Sequence, residues 1–409
     1  MKTTKLFFMA ALALMTASCS SNDDNDIAQQ PANGEITITA TLDANDGATT
    51  RVLGIDGDNI ASTWEAADQF AILFNDGTSN VKRTATVSSI GGSSVTITFT
   101  IPESLANNTD CTIVYPASAA NATNTGADVA TALATQDGTI GNCPEVRVGT
   151  ATIDKDNHNL SNVTNLDAQN AIFKFTTKTS DGSATIDVTS LTVTIGTQDY
   201  VITPASATSE LYAALPAISS QEVTFTATGS DSKTYMASKA SVDIAAGKYY
   251  QSDIKLTPAL NITSPAVGQV IGDNGQNYAY ASLPDGVTAV ALICYVSGSN
   301  GLALALADES EDGMEWDTAM TTAAAHTPTF TGGTWKLATK DEWDNTINAG
   351  DYEALRDGFS SVGGTNLKSN QYWSSTKNGD TIYDYYFSTG TWYAANDAAP
   401  FYVRACLAF

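Results

Sequence analysis

Apolar residues alternate with threonine in several segments between residues 35 and 258. The clearest of these segments are 36–42, 95–101, 191–195 and 223–228. Threonine is β-branched and tolerates water, so a period of two with threonine predicts a strand that buries one face. Short strands of this kind, separated by turn residues such as Gly91-Gly92 and Asp181-Gly182, predict antiparallel sheets packed as β-sandwiches.

The chain has 409 residues, too many for one domain of ordinary size. A single sandwich of about 100 residues cannot absorb the alternating region, so we expect two, over 35–157 and 158–258. From residue 259 charged and aromatic residues become denser and helical patterns appear, which predicts an α+β domain over 259–409. The expected fold class is therefore mainly β, with two β-sandwich domains followed by an α+β domain.

The final domain contains one clear helix signal. Thr339 with Glu342 three residues later forms a capping-box pattern, which predicts a helix from Thr339 to Ile347. The Ala-rich run 302–307 also has a helical composition, and Trp373 is expected in a buried strand. The remaining expected elements are a helix over 351–359, a long loop over 121–139, and strands over 382–387 and 401–407.

Charge and composition exclude several functions. Lys plus Arg number 19 and Asp plus Glu 44, giving a net charge of −25, so nucleic acid is not an expected partner. There are only two histidines, and no Gly-x-Ser-x-Gly, His-Glu-x-x-His or P-loop motif occurs. We expect no enzyme, no cofactor and no metal site. Paired carboxylates stay open, because their spacing is three-dimensional, and a glycan-processing surface enzyme is kept as an alternative.

Residues 1–19 have the pattern of an export signal. Lys2 and Lys5 precede an apolar run, 6–15, that is too short to span a bilayer, and small residues lead to Cys19. The segment resembles a bacterial lipoprotein signal, which implies that Cys19 is lipidated. The following segment, 20–34, is a polar acidic tether. We therefore expect export to the cell surface as an outer-membrane lipoprotein.

Four further cysteines follow the signal. They are Cys111, Cys143, Cys294 and Cys406. Disulfides are permitted outside the cytoplasm, and four cysteines allow three pairings. Cys294 and Cys406 lie in apolar, strand-like runs where a free thiol also serves as a small core residue. Bonded and free states both remain open.

Five short motifs between residues 35 and 258 occur in a characteristic order. They are Thr50-Arg51, WEAADQFAIL at 64–73, VYP at 114–116, LYAALP at 211–216 and AGKYY at 246–250. With these motifs the region resembles the fimbrillin family, pilins of anaerobic bacteria with two transthyretin-like sandwiches. Ala67 departs from the Gly that the family usually has before the Asp. The resemblance implies a fimbrial subunit in which both sandwich domains are transthyretin-like.

The fimbrillin resemblance also implies activation by proteolysis. In that family an arginine-specific protease cuts the loop behind the first strand, and a neighbouring subunit's strand fills the opened groove. Arg51 lies at this place, and no other Lys or Arg lies between Cys19 and Lys82. Unpaired backbone groups in an apolar groove are costly until a strand pairs with them. We therefore expect cleavage at Arg51 and strand exchange with other fimbrial subunits.

A second set of motifs lies in the last domain. They are GTWKLATKDEW at 333–343, YWSST at 372–376 and YVRA at 402–405. These motifs make 259–409 similar to the C-type-lectin-like modules that end many bacterial surface proteins. The calcium-and-sugar motifs of animal C-type lectins are missing. The resemblance therefore implies a lectin-like fold for this domain, without calcium-dependent sugar binding.

Large aromatic rings near the end of the chain are the candidate ligand contacts. Trp392 and Tyr393 follow Thr389-Gly390 in an expected loop, where exposed rings can stack on sugars or anchor a protein partner. Asn396 and Asp397 add hydrogen-bonding groups. We expect these four residues to bind a host or microbial glycan or protein ligand.

The expected function is that of a fimbrial tip adhesin. A stalk pilin of the fimbrillin family donates its own C-terminal strand, whereas the run 401–409 is expected to be integral to the last domain. A subunit that accepts a strand without donating one ends a polymer. The alternatives are a lipid-anchored fimbrial anchor or free surface lipoprotein, and the glycan-processing enzyme.

Overall fold

The computed structural model describes residues 34–43, 54–56, 59–61, 64–91, 94–349 and 352–409. Strands dominate the described residues, and three of the four α-helices lie after residue 259. The predicted fold class, mainly β with an α+β final region, is confirmed at this level. The one earlier helix and a short strand lie within 121–139, where a long loop was expected.

The first part of the chain forms a sheet that curls on itself. Its elements in chain order are β1 (Glu35–Asp43), β2 (Gly54–Asp56), β3 (Asn59–Ala61), β4 (Gln69–Asn75), β5 (Asn80–Gly91), β6 (Ser94–Pro102), β7 (Thr109–Tyr115), a 3-10 helix (Ala117–Ala119), α1 (Val129–Leu133), β8 (Thr135–Gln136), β9 (Arg147–Asp154), β10 (Asn159–Ser161) and β11 (Asp167–Ala168). The sheet order is β1-β6-β5-β4-β7-β9-β10, with β11 also paired with β9. Among the described strands, β2 and β3 pair only with each other, and β8 belongs to a second sheet. A hydrogen bond from Thr39 N to His158 O, 3.1 Å, joins the two ends of the sheet. We call this curled sheet the first barrel.

One face of each strand fills the first barrel. In β6 the residues Val95, Ile97, Phe99 and Ile101 are buried, and the threonines between them are half-buried. This alternation follows the pleat of a strand, which sends successive side chains to opposite faces. The one-face burial predicted for this segment is therefore confirmed.

The second part of the chain forms another large sheet. Its strands in chain order are β12 (Asn170–Thr179), β13 (Val188–Ile195), β14 (Gln198–Ile202), β15 (Glu210–Pro216), β16 (Ile218–Gly229), β17 (Thr234–Ile244) and β18 (Tyr249–Pro258). The order is β15-β12-β18-β17-β16-β13-β14-β8, so β8 crosses over from the first part of the chain. The core of this sheet also includes Ala71, Leu73 and Val114 from the outer face of the first barrel. The two sheets are therefore packed against each other through a shared apolar core.

The expected boundary at 157/158 stays a prediction, but the strand pairing marks a different point of change. Strands β10 and β11 follow residue 158 and still pair with β9 of the first barrel. The next strand, β12, pairs with β15 and β18 of the second sheet. The chain thus changes sheet between Ala168 and Asn170.

The last part of the chain, 259–409, is called the head below. Its elements are β19 (Val270–Gly272), β20 (Asn277–Tyr278), a 3-10 helix (Tyr280–Ser282), β21 (Ala289–Ser297), β22 (Asn300–Ala305), α2 (Trp316–Ala324), β23 (Thr334–Leu337), α3 (Lys340–Asn348), α4 (Tyr352–Asp357), a 3-10 helix (Phe359–Val362), β24 (Gln371–Asn378), β25 (Thr381–Tyr386), β26 (Thr391–Ala395) and β27 (Ala405–Ala408). One sheet has the order β20-β19-β21-β22-β27-β23, and a smaller one β24-β25-β26. The described residues of the head thus form two sheets, three α-helices and two short 3-10 helices.

The helix predictions in the head have mixed outcomes. The capping box is confirmed: Thr339 Oγ1 accepts from Glu342 N at 3.1 Å, and Glu342 Oε2 accepts from Thr339 N at 2.8 Å. The helical assignment of 302–307 is wrong, because most of this run forms β22. Strand β22 lies between β21 and β27 and is buried from Gly301 to Ala305, so apolar residues occupy both of its faces. Helix α2 was not predicted.

Hydrogen-bonded backbone joins the second sheet to the head. Ala259 N donates to Thr234 O and Leu260 N to Thr331 O, each at 2.8 Å. Gly275, with φ of +78°, packs so tightly under Ala259 that a Cβ would collide with its carbonyl oxygen. Strand β18 therefore runs directly into the head.

Candidate functional site

Strand β1 is the first strand in the sheet order of the first barrel. We call the groove that it fills the β1 groove. All nine of its residues pair with β6, from Glu35 opposite Pro102 to Asp43 opposite Ser94. Beyond the Thr39–His158 hydrogen bond, no backbone bond ties the other edge of β1 to a described residue. The strand is thus held by one full ladder and by its side chains.

The inward side chains of β1 form part of the core of the first barrel. Ile38 and Leu42 are fully buried and Ala40 nearly so, with Ile36 packed at the rim. The intervening Thr37 is half-buried and Thr39 is exposed. Burying a side chain such as Ile or Leu stabilises by about 1.5–3 kcal/mol. The strand therefore contributes a row of apolar contacts that any replacement would have to supply.

Residues of the WEAADQFAIL and VYP motifs build the floor of the first barrel. Trp64 lies 5.2 Å from Phe70 and 5.1 Å from Tyr115 between ring centroids. Asp68 is buried and accepts hydrogen bonds from Tyr115 Oη, 3.0 Å, and Glu65 N, 2.9 Å. These motif residues are structural: they fix the turn before β4 against β7.

Two of the predicted site residues fall outside the described residues. These are Cys19, expected to be lipidated, and Arg51, expected to be the cleavage point. Both stay predictions. The described chain brackets Arg51 between the end of β1 at Asp43 and the start of β2 at Gly54.

The other four predicted site residues lie in or beside β26 of the head. The expected loop position of Trp392 and Tyr393 is wrong, because both lie in this strand, paired with Tyr385 and Asp384 of β25. Alternation along β26 sends the two rings to opposite faces of the small sheet. A single flat surface containing both rings is therefore not what the fold provides.

The Trp392 ring packs onto α3. Its Nε1 donates to Asp344 Oδ1 at 2.7 Å, and Lys340 Nζ lies 4.9 Å from its ring centroid. Lys340 also pairs with Asp344 at 2.6 Å, and Tyr385 meets the indole edge-on at 5.1 Å. The side chain is half-buried with its polar atom already bonded, so Trp392 fixes the strand to the helix.

Tyr393 points away from α3 and is 46% exposed. Its ring lies 6.2 Å from that of Tyr386, which is half-buried on the neighbouring strand. Asn396 and Asp397 are exposed just beyond β26, and the backbone carbonyl of Asp397 accepts from Trp316 N at 2.9 Å. We call Tyr386, Tyr393, Asn396 and Asp397 the aromatic face of the head.

A buried carboxylate that the sequence did not single out lies on the same side of the small sheet. Asp384 is directly opposite Tyr393 and is fully buried. Its Oδ1 accepts from Gln371 Nε2 at 3.0 Å, while its Oδ2 has no hydrogen-bond partner among the described residues. Burial raises the pKa of Asp384. The sequence signal for this buried carboxylate was an acidic residue between two tyrosines, Tyr383 and Tyr385.

A second buried carboxylate locks the centre of the head. Arg404 is fully buried. Its Nε donates to Asp308 Oδ1 at 2.8 Å, its Nη1 to the Ala305 carbonyl at 3.0 Å and its Nη2 to the Thr365 carbonyl at 3.0 Å. Tyr372 Oη also donates to Asp308, at 2.9 Å. Burial raises the pKa of Asp308, and Arg404 opposes the rise. Asp308, the first residue of an acidic run at 308–313, thus neutralises the buried arginine.

The four cysteines of the folded region are free and buried. Cys111 lies in the core of the first barrel and Cys143 in that of the second sheet, so these two do not meet. Burial raises the pKa of Cys111 to about 12 and that of Cys294 to about 12. Thiols in this state are poor nucleophiles and serve as core residues.

Within the described residues, no group of three or more His, Cys, Asp or Glu side chains is placed to hold a metal ion. None of the helices in the same part of the chain has the length and apolar composition to cross a bilayer.

Solved structures with similarity to this chain include bacterial fimbrial proteins and candidate cell adhesion proteins. A fimbrial protein from Bacteroides ovatus is 13% identical, with a TM-score of 0.31 and coverage of 93% of this chain and 100% of that chain. A fimbrial assembly protein from Parabacteroides distasonis is 11% identical, with a TM-score of 0.31 and coverage of 55% and 95%. A candidate cell adhesion protein from Bacteroides uniformis is 15% identical, with a TM-score of 0.31 and coverage of 56% and 97%.

The structural neighbours are thus fimbrial and cell adhesion proteins, the class that the fimbrillin resemblance names. At TM-scores this low the likenesses carry no argument for function, which is drawn below from the residues of this chain. No family model matches the chain, and no curated protein matches it.

Proposed function

We propose that this chain is a non-enzymatic subunit of a surface fimbria, in which a strand from a neighbouring subunit replaces β1. The observation that carries the proposal is the way β1 is held. It is the first strand of the described residues, has its one continuous ladder with β6, and places three apolar side chains in the core of the first barrel. A cut in the segment 44–53 would leave it attached only by these non-covalent contacts.

Loss of β1 would expose an apolar trough and the free edge of β6. The backbone groups of β6 that pair with β1 would lose their partners, and the space of Ile38 and Leu42 would be open to water. An extended segment with apolar residues at alternate positions restores both the ladder and the core. The energy of assembly comes from that replacement, with cleavage at Arg51 as its trigger.

The proposed place of the subunit is the tip of the fimbria. Strand β27 lies between β22 and the edge strand β23 of the head sheet, and Ala405, Cys406 and Leu407 are fully buried. Withdrawing it would split that sheet, so β27 is unsuited to fill a groove in a neighbour. The runner-up is an anchor subunit that keeps its lipid and its first strand.

The mature N-terminus separates the tip subunit from the anchor. Mass spectrometry of the protein recovered from purified fimbriae is expected to find a chain that begins at Val52, and Arg51→Gln to block incorporation. A chain that begins at lipidated Cys19 in the assembled fibre would establish the anchor role and overturn the tip assignment.

We propose that the aromatic face of the head binds the ligand, a glycan or a protein. Tyr393 supplies an exposed ring and Asn396 and Asp397 supply exposed polar groups. Trp392, on the other face, holds β26 in place from behind through Asp344. The test is binding of the full chain to a glycan and protein array: Tyr393→Ala is expected to abolish hits that the exposed-control variant Tyr280→Ala retains. Equal binding by both variants would move the ligand site elsewhere.

A further inference from the structure

The strands of the β1 groove are repetitive, which leaves their register poorly defined by pattern alone. Strand β1 contains Ile-Thr-Ile-Thr-Ala-Thr-Leu and β6 contains Val-Thr-Ile-Thr-Phe-Thr-Ile. In the observed register threonine faces threonine at three successive outward positions, Thr37–Thr100, Thr39–Thr98 and Thr41–Thr96. A shift by one residue turns every apolar side chain outward. A shift by two residues puts most threonines back opposite threonines and keeps the apolar row inward.

Arg83 breaks this repetition. It lies in β5 between Val81 and Ala85, whose side chains belong to the core of the first barrel, so it is the charged residue in an apolar row. Its guanidinium Nη2 lies 3.8 Å from Glu35 Oε1, at the first residue of β1. Its Nε is buried, with no hydrogen-bond acceptor among the described residues. A fixed cation thus stands at the end of the groove where β1 begins.

The other carboxylate near Arg83 belongs to a turn. The backbone N–H groups of Ser79 and Thr78 lower the pKa of Asp76, and Arg83 adds a smaller effect of the same sign. Asp76 is exposed and already accepts from both N–H groups. It is therefore committed to the turn between β4 and β5, and Glu35 is the carboxylate that comes with the strand.

We propose that Arg83 sets the register of whatever strand fills the β1 groove, by pairing with an acidic residue one position before its first inward apolar residue. This inference rests on the proposed strand replacement and specifies its partner: a segment of a neighbouring subunit with an Asp or Glu at its first position and apolar residues at alternate positions after it. A two-residue shift moves that carboxylate by about 6.6–6.8 Å along the strand. Such a displacement removes it from a contact of 3.8 Å.

Cysteine cross-linking of a synthetic strand measures the register directly. The full chain is cut behind Arg51, and the released strand is exchanged for a peptide of residues 35–43 carrying Thr39→Cys. Three protein variants, Thr98→Cys, Thr96→Cys and Thr100→Cys, capture the native register and the two shifts by two residues. The native cysteines of the folded region are buried and do not compete.

With the native peptide and Arg83 present, cross-linking is expected chiefly at position 98. The peptide change Glu35→Gln and the protein change Arg83→Gln are each expected to lower the ratio of native to shifted products about two- to five-fold, the range of a partly exposed ion pair. The double change, Glu35→Gln in the peptide with Arg83→Gln in the protein, is expected to lower this ratio little further. The charge swap, Arg83→Glu in the protein with Glu35→Lys in the peptide, is expected to restore the native register.

Two matched controls remove a charge without touching the contact. The peptide change Asp43→Asn removes the carboxylate at the far end of the strand. The protein change Lys82→Gln removes the cation next to Arg83 in sequence; the Nζ of Lys82 donates to the Ala117 carbonyl on the outer face. Both are expected to leave the ratio unchanged. An unchanged ratio in Arg83→Gln and in the Glu35→Gln peptide would overturn the register inference alone. A cut protein that captures no peptide at any position would overturn the proposed strand replacement itself.

Discussion

Strands β1 and β27 hold opposite places in their sheets. Strand β1 is the first strand in the sheet order of the first barrel. It has one full ladder, to β6, and a single backbone hydrogen bond on its other edge. Strand β27 lies between β22 and β23, directly after the buried Arg404. The strand that we propose to be replaceable is held by a repetitive ladder and apolar contacts. The strand that we propose to be permanent is held by two ladders and follows a buried ion network.

The largest expected effect tests the permanent strand. Arg404→Ala leaves Asp308 buried without its cation, and breaking a buried pair in this way costs about 3–5 kcal/mol. Urea unfolding followed by tryptophan fluorescence reports the head, because five of the six tryptophans lie in it. Arg404→Lys keeps the charge but loses the fork of donors. Its stability is expected to lie between those of the native chain and the Arg404→Ala variant.

The control for Arg404 is an ion pair at the surface. Arg356 of the head lies 2.7 Å from Asp357, which is about half exposed, and Asp357→Ala is expected to cost far less stability than Arg404→Ala. Equal losses in the two variants would show that the buried network does not hold the head together, and the contrast with β1 would lose its basis.

A smaller loss is expected from the replaceable strand. Leu42→Ala empties a fully buried position in the core of the first barrel, which costs about 3 kcal/mol in an intact chain. Hydrogen exchange of the β6 amides measures the effect where β1 pairs. Thr39→Ala, an exposed position on the same strand, is the control and is expected to change little; equal acceleration by both variants would contradict the inward role of Leu42.

The same contrast explains what could be predicted from the sequence. Alternation identified β1 and β6 because a strand with one wet face must alternate, and the capping box identified α3 because its two reciprocal bonds need Thr339 and Glu342 in that spacing. Strand β22 was mistaken for a helix because a strand covered on both faces has no alternation to find, and Ala and Leu favour helices.

The positions of single polar residues in the interior could not be predicted from the sequence pattern. Arg83 interrupts an apolar row, and Asp384 interrupts an aromatic one, but one charge in a strand is compatible with either face. Their positions follow from strand register, which the repetitive sequences do not specify. The predicted ligand residues Trp392 and Tyr393 were placed in one loop because they follow Thr389-Gly390, and the pleat of β26 separates them.

A third effect, smaller again, separates the two rings of β26. Trp392→Ala removes a half-buried ring and its hydrogen bond to Asp344, and about 2 kcal/mol of head stability is expected to go with them. Tyr393→Ala removes an exposed ring and is expected to cost less than about 0.5 kcal/mol. Thermal unfolding of both variants measures the difference. Equal losses would mean that Tyr393 is a packing residue, and the aromatic face would no longer be a free surface.

The smallest effect concerns Asp384 and depends on pH. Burial raises its pKa in the folded state above that in the unfolded chain, so between the two values the folded state binds more protons. The free energy of unfolding therefore falls as pH rises through this window, which begins near the ordinary Asp value of about 3.9. Asn cannot titrate, and Asp384→Asn is expected to gain stability relative to the native chain as the pH rises, because it removes a buried negative charge.

The opposite sign is expected at Asp357, which makes it the matched control. Its hydrogen bond from Arg356 lowers the pKa of Asp357, so the stabilisation is present above the ordinary Asp value and is lost as the pH falls. Asp357→Asn should therefore lose stability relative to the native chain at neutral pH and approach it in acid. Thermal unfolding from pH 3 to pH 7 measures both slopes in the same head. If Asp384→Asn followed the Asp357 slope, the Asp384 carboxylate would be favourably paired, and its Oδ2 would have a hydrogen-bond partner.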